Sequence, residues 1–317
     1  MNRYQKTATF TIIATFALIF IGGLVRASGA GLGCPDWPTC FGQWIPPVSA
    51  AELPAGYNPA EFSVFKTWME YFNRLVGVLI GFLITLTFVF SFSYYKNKPA
   101  VFYSSAAAFI LVLFQGWLGG RVVQTGLSEW VITIHMLVAL IIVNVLIYAW
   151  FKSMSDSIKI TMPEKAKGVL VSLAVLMLFI TLIQVAFGTQ VREAIDTVSR
   201  SNPSLERTLW IYQVGWIDQL HRTFSWVVLI SSALLIYYHQ KFSIKGLPYT
   251  LSLAIMGMII AQFLVGIVLA YLGMPPAFQV IHLWLASVLV GSQFLYIMIV
   301  NESMIAQPAD DDRINTG

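Results

Sequence analysis

The sequence predicts an all-α membrane protein with eight transmembrane helices, arranged as two tandem pseudo-symmetric four-helix bundles. Of its 317 residues, 57% are hydrophobic and only 11% are charged, whereas soluble domains have about 25% charged residues. Apolar runs near the ~20 residues needed to cross a bilayer occur eight times. A motif that recurs in both halves of the chain indicates a duplication. The composition excludes a soluble domain, and no basic tract interleaved with aromatic residues indicates a nucleic-acid partner.

Each predicted helix rests on one apolar run. The first run follows a short basic start but is longer than the ~7–15 residues of a signal-peptide core, so we expect it to be retained. The runs cover residues 8–25, 72–94, 101–120, 129–151, 168–189, 219–238, 250–271 and 278–300.

The domain organisation follows from the repeat. Because each half has four helices, both halves enter the membrane from the same side, as in a parallel repeat. We predict an N-terminal half (1–155), a cytoplasmic linker (156–167), a C-terminal half (168–301) and a disordered cytoplasmic tail (302–317).

The basic residues predict the orientation. With the N-terminus inside, eleven of the nineteen Lys and Arg residues lie on the cytoplasmic side and eight lie outside. Nine of the eleven are Lys, whereas seven of the eight are Arg. We therefore predict a multi-pass protein of the bacterial cell (inner) membrane with cytoplasmic N- and C-termini. The outer arginines need an explanation other than topology.

The repeated motif places similar residues at matching depths in the two halves. Both first helices end in Gly-x-x-x-Arg, at Arg26 and Arg192. In both halves a Gln lies twenty residues before a His. The remaining matches are Glu70 with Asp218, Asn73 with His221, Arg74 with Arg222, Gln115 with Gln262, Gly119 with Gly266 and His135 with His282.

The histidines predict a haem site. Two imidazoles on facing apolar helices are a ligand set of six-coordinate haem iron, so we predict that His221 and His282 bind a haem. The alternative is a hydrogen bond to a neighbouring helix. Zinc is disfavoured because no carboxylate–histidine cluster supplies a third ligand. His239, at the inner end of the sixth predicted helix, has no counterpart in the repeat and is expected at the surface.

The N-terminal half differs at one decisive position. Asn73 stands where the C-terminal half has His221, and Asn is a poor iron ligand. A haem held by His135 alone would keep one face open for oxygen chemistry. Glu70, one turn before Asn73, could deliver protons or orient an intermediate; alternatively it is a helix-terminal carboxylate at the membrane surface. Its counterpart Asp218 is expected to be structural.

The outer arginines are candidates for binding the haem propionates through bidentate pairs. Arg74 and Arg222 are the repeat-related candidates, and Arg26, Arg121 and Arg192 come next. The alternative for each is a guanidinium that extends to the lipid headgroups.

The only two cysteines, Cys34 and Cys40, lie in a long outer loop. On the oxidising side of the membrane this pair is expected to form a disulfide. Its role is either to staple the loop or to take part in redox or substrate handling.

Over essentially its whole length the sequence resembles the haem A synthase family. The motifs that carry the resemblance are GGLVR at 22–26, GLGCPDWPTC at 31–40, EYFNRLVG at 70–77, QGWLGG at 115–120, IH at 134–135, HR at 221–222 and IH at 281–282.

The resemblance implies an enzyme that oxidises the haem O ring methyl to a formyl group by successive hydroxylations through an alcohol. It implies a haem b cofactor on His221 and His282, with the substrate haem O near His135 and Glu70. It further implies that the haem O synthase, a farnesyltransferase, delivers the substrate, and that the product serves cytochrome oxidase assembly with its factors. The electron donor and the oligomeric state stay open.

One departure and two rival interpretations accompany the resemblance. Many members have His where this chain has Asn73, so a bis-His N-terminal site is not carried over. Either Asn73 marks a variant with a more open substrate iron, or the N-terminal half has lost activity. The presence of Glu70, Arg74 and His135 favours the first. A non-catalytic b-type electron carrier would need histidine pairs in both halves. A transporter with histidine proton relays would bind no haem and would leave the cysteine loop unexplained.

Overall fold

A computed structural model describes residues 1–305 of the protein. Eight of its helices are long and apolar enough to cross a membrane, which confirms the predicted all-α membrane class. The helices are α1 (Arg3–Ala27), α2 (Val64–Ser91), α3 (Pro99–Gln124), α4 (Glu129–Met154), α5 (Glu164–Ser201), the single-turn α6 (Trp210–Gln213), α7 (Trp216–Lys241), α8 (Leu247–Tyr271) and α9 (Pro276–Asn301). Short 3₁₀ turns lie at Ala50–Glu52, Phe92–Tyr94, Ser155–Ser157 and Arg207–Leu209.

The helices begin where the sequence provides a start signal. The side chain of Asn2 accepts a hydrogen bond from the backbone N–H of Gln5, and the Gln5 side chain accepts one from the N–H of Asn2, so a capping box begins α1. Proline opens α3 and α9, where its missing N–H has no helical partner to lose. Local sequence therefore explains these three starts.

The helix neighbours fall into two groups. In the first, α1 packs on α2 and α4, α2 on α3, and α3 on α4. In the second, α5 packs on α7 and α9, and α8 packs on α7 and α9. The α9 helix also packs on α1 and α4, forming a seam between the groups. This packing agrees with two four-helix bundles; their pseudo-symmetry stays a prediction.

At the seam, α1 and α9 approach each other closely where α1 carries a glycine. A methyl group added at Gly23 of α1 would lie 3.3 Å from Val280 Cγ1 of α9. Further inside, the Trp284 indole donates a 3.1 Å hydrogen bond to the carbonyl of Phe16. The two halves therefore pack directly against each other.

Outer and inner refer from here on to the orientation that the sequence predicts. The sequence predicts an outer loop over 193–217, but α5 extends into this stretch. The helix continues to Ser201. In its last turns Val191 and Ile195 are buried and pack against α7. Residues 190–201 contain neither Gly nor Pro, so nothing in this stretch stops the helix.

On the inner side, the linker and the chain end pair with each other. Strand β1 (Thr161–Met162) runs parallel to β2 (Met304–Ile305). The predicted disordered tail begins at 302, so its first residues are ordered in this contact. From residue 306 onwards the tail lies outside the described residues.

Candidate functional site

The two histidines of the C-terminal half face each other near the outer ends of their helices. His221 is in the second turn of α7, and His282 is in the second turn of α9. Their ring centroids are 6.3 Å apart, and the rings are inclined at 74°. The structure thus brings together the pair that the repeat predicts.

This spacing fits an iron atom between the rings. Two metal–nitrogen bonds of about 2 Å, together with about 1 Å from each nitrogen to its ring centre, place the centroids about 6 Å apart. The Nδ1 atoms of both histidines are buried and have no hydrogen-bond partner among residues 1–305. In that part of the chain no three His, Cys, Asp or Glu side chains gather to hold a metal ion. The donor set fits haem iron, which needs only two axial ligands.

A glycine of the neighbouring helix lies against each histidine. A methyl group at Gly188 of α5 would lie 3.2 Å from His221 Cε1, and one at Gly266 of α8 would lie 3.9 Å from His282 Cε1. These glycines allow close helix approach and leave space beside the imidazoles. From the sequence, these glycines are expected to serve helix packing, with room for a flat macrocycle as the alternative.

A glutamine holds the backbone of each histidine. The amide of Gln184 donates to the carbonyl of His221 at 3.0 Å, and that of Gln262 donates to the carbonyl of His282 at 2.9 Å. Both bonds link neighbouring helices at the level of the site and fix how they face each other. Sequence analysis missed Gln184, because it lies outside the repeated Gln–His spacing.

The N-terminal half repeats this arrangement around His135. Gln115 donates to the His135 carbonyl at 3.0 Å. A methyl group at Gly119 would lie 3.6 Å from His135 Cε1, and one at Gly22 would lie 3.9 Å from Asn73 Oδ1. Asn73 therefore takes the place that His221 has in the other half. Its Oδ1 is buried and has no hydrogen-bond partner in the described part of the chain.

Glu70 is buried beneath the outer loop, with 6% of its surface exposed. One carboxylate oxygen accepts a 2.6 Å hydrogen bond from Arg74, and the other accepts a 3.0 Å bond from the backbone N–H of Cys34. Glu70 is therefore buried rather than exposed at the membrane surface, and both of its oxygens are engaged with Arg74 and the loop. Its predicted part in delivering protons or orienting an intermediate stays a prediction.

Arg74 fastens the same loop to α2. Besides Glu70, its guanidinium donates to the carbonyls of Asp36 at 2.8 Å, Thr39 at 2.9 Å and Cys34 at 3.2 Å. The sequence predicts a propionate ligand here, whereas in the structure four of the five N–H donors face these partners. The motif signalled an important arginine but not which groups it binds.

The outer loop is closed by its disulfide and lies close over the N-terminal half. Cys34 and Cys40 form the predicted disulfide. The ring of Trp37, between them, lies 2.9 Å from the place where Gly120 of α3 would carry a methyl group. Gly120 adjoins Gly119, which faces His135. The loop thus packs against α3 beside the glycine that faces His135.

Two of the other predicted arginines, Arg26 and Arg192, lie between the two halves. Arg26 donates to Asp196 of α5 at 2.8 Å, an ion pair between the two halves. Arg192, 8% exposed, approaches α4 within 3.3 Å of Met136 Sδ, one residue after His135. These two arginines therefore lie at the seam between the sites.

Arg222 and Arg121 keep more of their donors free at the outer surface. Arg222 pairs with Asp218 of its own helix at 2.5 Å and is 43% exposed. Arg222 and Asp218 line a cavity of about 120 Å³ at the outer end of α7, whose further lining includes Tyr212 and Tyr271. Arg121 donates to Gln124 at 3.0 Å. Asp218, buried against Arg222, is engaged as a structural partner.

His239 contradicts the prediction of a surface residue. It is fully buried, and its Nε2 lies 2.7 Å from the hydroxyl of Tyr296, which is also fully buried. The prediction was wrong because the end of a helix need not be at the surface. The chain turns back after Lys241, and α8 covers the imidazole, with the ring centroids of Tyr249 and His239 5.6 Å apart. The one sequence feature that could have indicated a buried partner for His239 is Tyr296, a polar residue in the apolar α9, fourteen residues after His282.

Comparisons with known proteins agree with this arrangement. The model of the cytochrome oxidase assembly protein family matches residues 5–294. A protein of Shewanella oneidensis named "Heme A synthase" is 25% identical over 86% of this chain and 89% of its own length. One of Wolbachia from Brugia malayi, with the same name, is 24% identical over 88% of this chain and 91% of its own length. In Alkalihalophilus pseudofirmus the match to a protein of that name reaches 28% identity but spans 53% of this chain and 52% of the relative. Because the family model covers nearly all of the chain, the protein belongs to the cytochrome oxidase assembly protein family.

Proposed function

We propose that the protein is a haem A synthase, a membrane oxidoreductase that converts haem O to haem A for cytochrome oxidase assembly. The observation that carries this proposal is the facing pair His221 and His282, together with a second site, around His135, that has the same frame but only one histidine. Family membership and the relatives named "Heme A synthase" support it.

The C-terminal site is proposed to hold haem b. The imidazoles of His221 and His282 would hold its iron, a ligand set suited to electron transfer. When bound, haem b would supply one-electron transfer to the N-terminal site. Gln184 and Gln262 fix the helix backbones that carry the ligands, and Arg222 faces the outer cavity with N–H donors suited to a carboxylate.

The N-terminal site is proposed to bind the substrate haem O. His135 holds its iron from α4, while Asn73 on α2 offers an amide in place of a second strong ligand. Glu70 lies one turn from Asn73 and can hold or move a proton at its carboxylate during oxidation of the ring methyl to the alcohol and then the formyl group. The disulfide loop and Trp37 exclude water from the outer end of this site.

The arginines are proposed to divide two tasks. Arg222 and Arg121 retain donors for propionates, and Arg192 adds a positive charge at the seam. Arg26 and Arg74 act mainly by positioning α5 and the loop. The cavity of about 120 Å³ at the outer end of α7 is consistent with a carboxylate end that reaches the outer surface.

We place the protein in the bacterial inner membrane with cytoplasmic termini, on the distribution of Lys and Arg. The proposed partners are haem O, the farnesyltransferase that makes it and the cytochrome oxidase assembly factors.

The test is haem extraction and chromatography of protein purified from a host that lacks its own haem A synthase and expresses a haem O synthase. The native protein should contain haem b together with haem O, its alcohol or haem A. His282→Ala should lose haem b. The matched change His135→Ala should keep haem b and abolish haem A. A native protein without any haem, or haem A formed by His135→Ala, would refute the proposal.

A further inference from the structure

The interior of the C-terminal half contains a row of polar side chains that leads to Gln184, and apart from Gln184 its members are buried and have no part in the proposed chemistry. It begins at the inner end of α7 with His239, which pairs with Tyr296 of α9. One turn further out on α9, the amide of Gln293 donates to Thr181 Oγ1 of α5 at 3.0 Å. One turn further out on α5 lies Gln184.

This row spans most of the membrane. His239 lies eighteen residues after His221 on the same helix, about 27 Å at 1.5 Å per residue. At the outer end, Gln184 donates to the backbone carbonyl of His221. Each step in the row is either a hydrogen bond or one helical turn, so the polar side chains link the inner end of α7 with the His221–His282 pair.

Several atoms of the row lack a protein partner. Gln184 Oε1, Gln293 Oε1 and His239 Nδ1 are buried without a hydrogen-bond partner among residues 1–305, and the side chains of Gln293 and His239 are fully buried. A buried polar group without a partner costs about 1–3 kcal/mol. Internal water commonly satisfies such groups, because one molecule bonds to two to four of them.

The N-terminal half lacks most of the row at the positions that the repeat aligns. Where the C-terminal half has Gln184, Gln293 and Tyr296, the repeat places Leu18, Leu146 and Ala149. Thr181 and His239 correspond to Thr15 and Ser91, which are also polar. The N-terminal half instead has a buried hydroxyl pair, Thr11 with Thr87, so the amides and the histidine–tyrosine pair of this row are specific to the C-terminal half.

We infer that the C-terminal half contains a chain of buried water molecules, held by His239, Tyr296, Gln293 and Gln184, that links the buried inner end of α7 to the His221–His282 site. The ligand is water, and the chain screens charge at a site that is otherwise surrounded by apolar side chains. The role of this water path depends on the proposed function, whereas the existence of the path does not.

The first test needs no haem. Radiolytic hydroxyl-radical footprinting labels buried side chains that adjoin internal water. Tyr4 is a matched control, because it too is buried and has one side-chain partner, Ser105 at 2.9 Å. We expect Tyr296 to be labelled at least several-fold faster than Tyr4. Equal rates would overturn the inference.

A substitution locates the water. Gln293→Leu, which installs the residue found at position 146, should reduce labelling of Tyr296 to the rate of Tyr4. Thr87→Val removes a buried hydroxyl in the other half, where it pairs with Thr11 at 3.0 Å, and should leave labelling of Tyr296 unchanged. Labelling that persists in Gln293→Leu would contradict the path.

The link to the site is tested by spectroelectrochemistry. In Gln293→Leu the midpoint potential of the bound haem should rise, because water stabilises the charged ferric form. An unchanged potential with a changed footprint would show that the water does not reach the site. A native protein without haem would refute the proposed function, while the footprint would still decide the inference.

Discussion

Replacement of Glu70 separates its structural role from its chemical role. Its carboxylate accepts one hydrogen bond from Arg74 and one from the N–H of Cys34, and its side chain is 8% exposed. Glu70→Ala removes both acceptors, whereas Glu70→Gln keeps one acceptor for Cys34 and removes the charge.

The expected cost follows from these bonds. A hydrogen bond to a charged group contributes about 1.5–3 kcal/mol, and breaking a buried ion pair by removing one partner costs about 3–5 kcal/mol. Arg74 keeps three loop carbonyls as partners, so we expect the lower end, about 3 kcal/mol, for Glu70→Ala. Since 1.4 kcal/mol corresponds to a factor of ten, the opened loop should become about 100-fold more populated.

Hydrogen–deuterium exchange of residues 34–42 measures this opening. Protection should fall about 100-fold in Glu70→Ala and about tenfold in Glu70→Gln, where only the charge is lost. Asp218→Ala is the repeat-matched control: Asp218 pairs with Arg222 of its own helix, so protection of residues 34–42 should not change.

Unchanged protection in Glu70→Ala would refute the view that Glu70 anchors the loop. Haem A formation in the same variants then decides the second role. If Glu70→Gln keeps the loop mostly closed and still abolishes the formyl product, the carboxylate acts in the chemistry. Full product formation would leave Glu70 as an anchor alone.

Three further predictions concern the two sites. Gly188→Ala should weaken haem retention about tenfold, because the added methyl group would lie 3.2 Å from His221 Cε1. Gly266→Ala would place its methyl group 3.9 Å from His282 Cε1 and should retain haem like the native protein in the same chromatographic assay. Asn73→His should leave thermal stability and the C-terminal haem spectrum unchanged, and loss of that spectrum would contradict the independence of the two sites. Cys34→Ser should cost the loop about 2 kcal/mol, as expected for a short closed loop, and lower exchange protection of the loop about 30-fold; unchanged protection would show that the contacts of Arg74 suffice.

Sequence patterns predicted the helices well because membrane helices need long apolar runs, and eight such runs are visible. The repeat likewise predicted the His221–His282 pair, since residues at equivalent depths on neighbouring helices meet. It could not predict the partners of Arg74, because these are backbone carbonyls of a loop whose path no periodicity describes. It misplaced His239, because burial at a helix end depends on where the next helix returns.

The differences between the two halves say more about function than their shared frame. Gln115 and Gln262 hold the backbones of His135 and His282 alike, so these bonds build the scaffold. Buried polar side chains occur in both halves: Thr11 and Thr87 of the N-terminal half align with Met177 and Leu235. The difference that bears on the chemistry is at position 221, where the aligned N-terminal residue is Asn73. A fixed redox group benefits from two strong ligands, whereas a substrate that must enter and leave benefits from weaker ligation. The change from His221 to Asn73 therefore supports a resident cofactor in the C-terminal half and an exchanging substrate in the N-terminal half, rather than two equivalent electron-carrying haems.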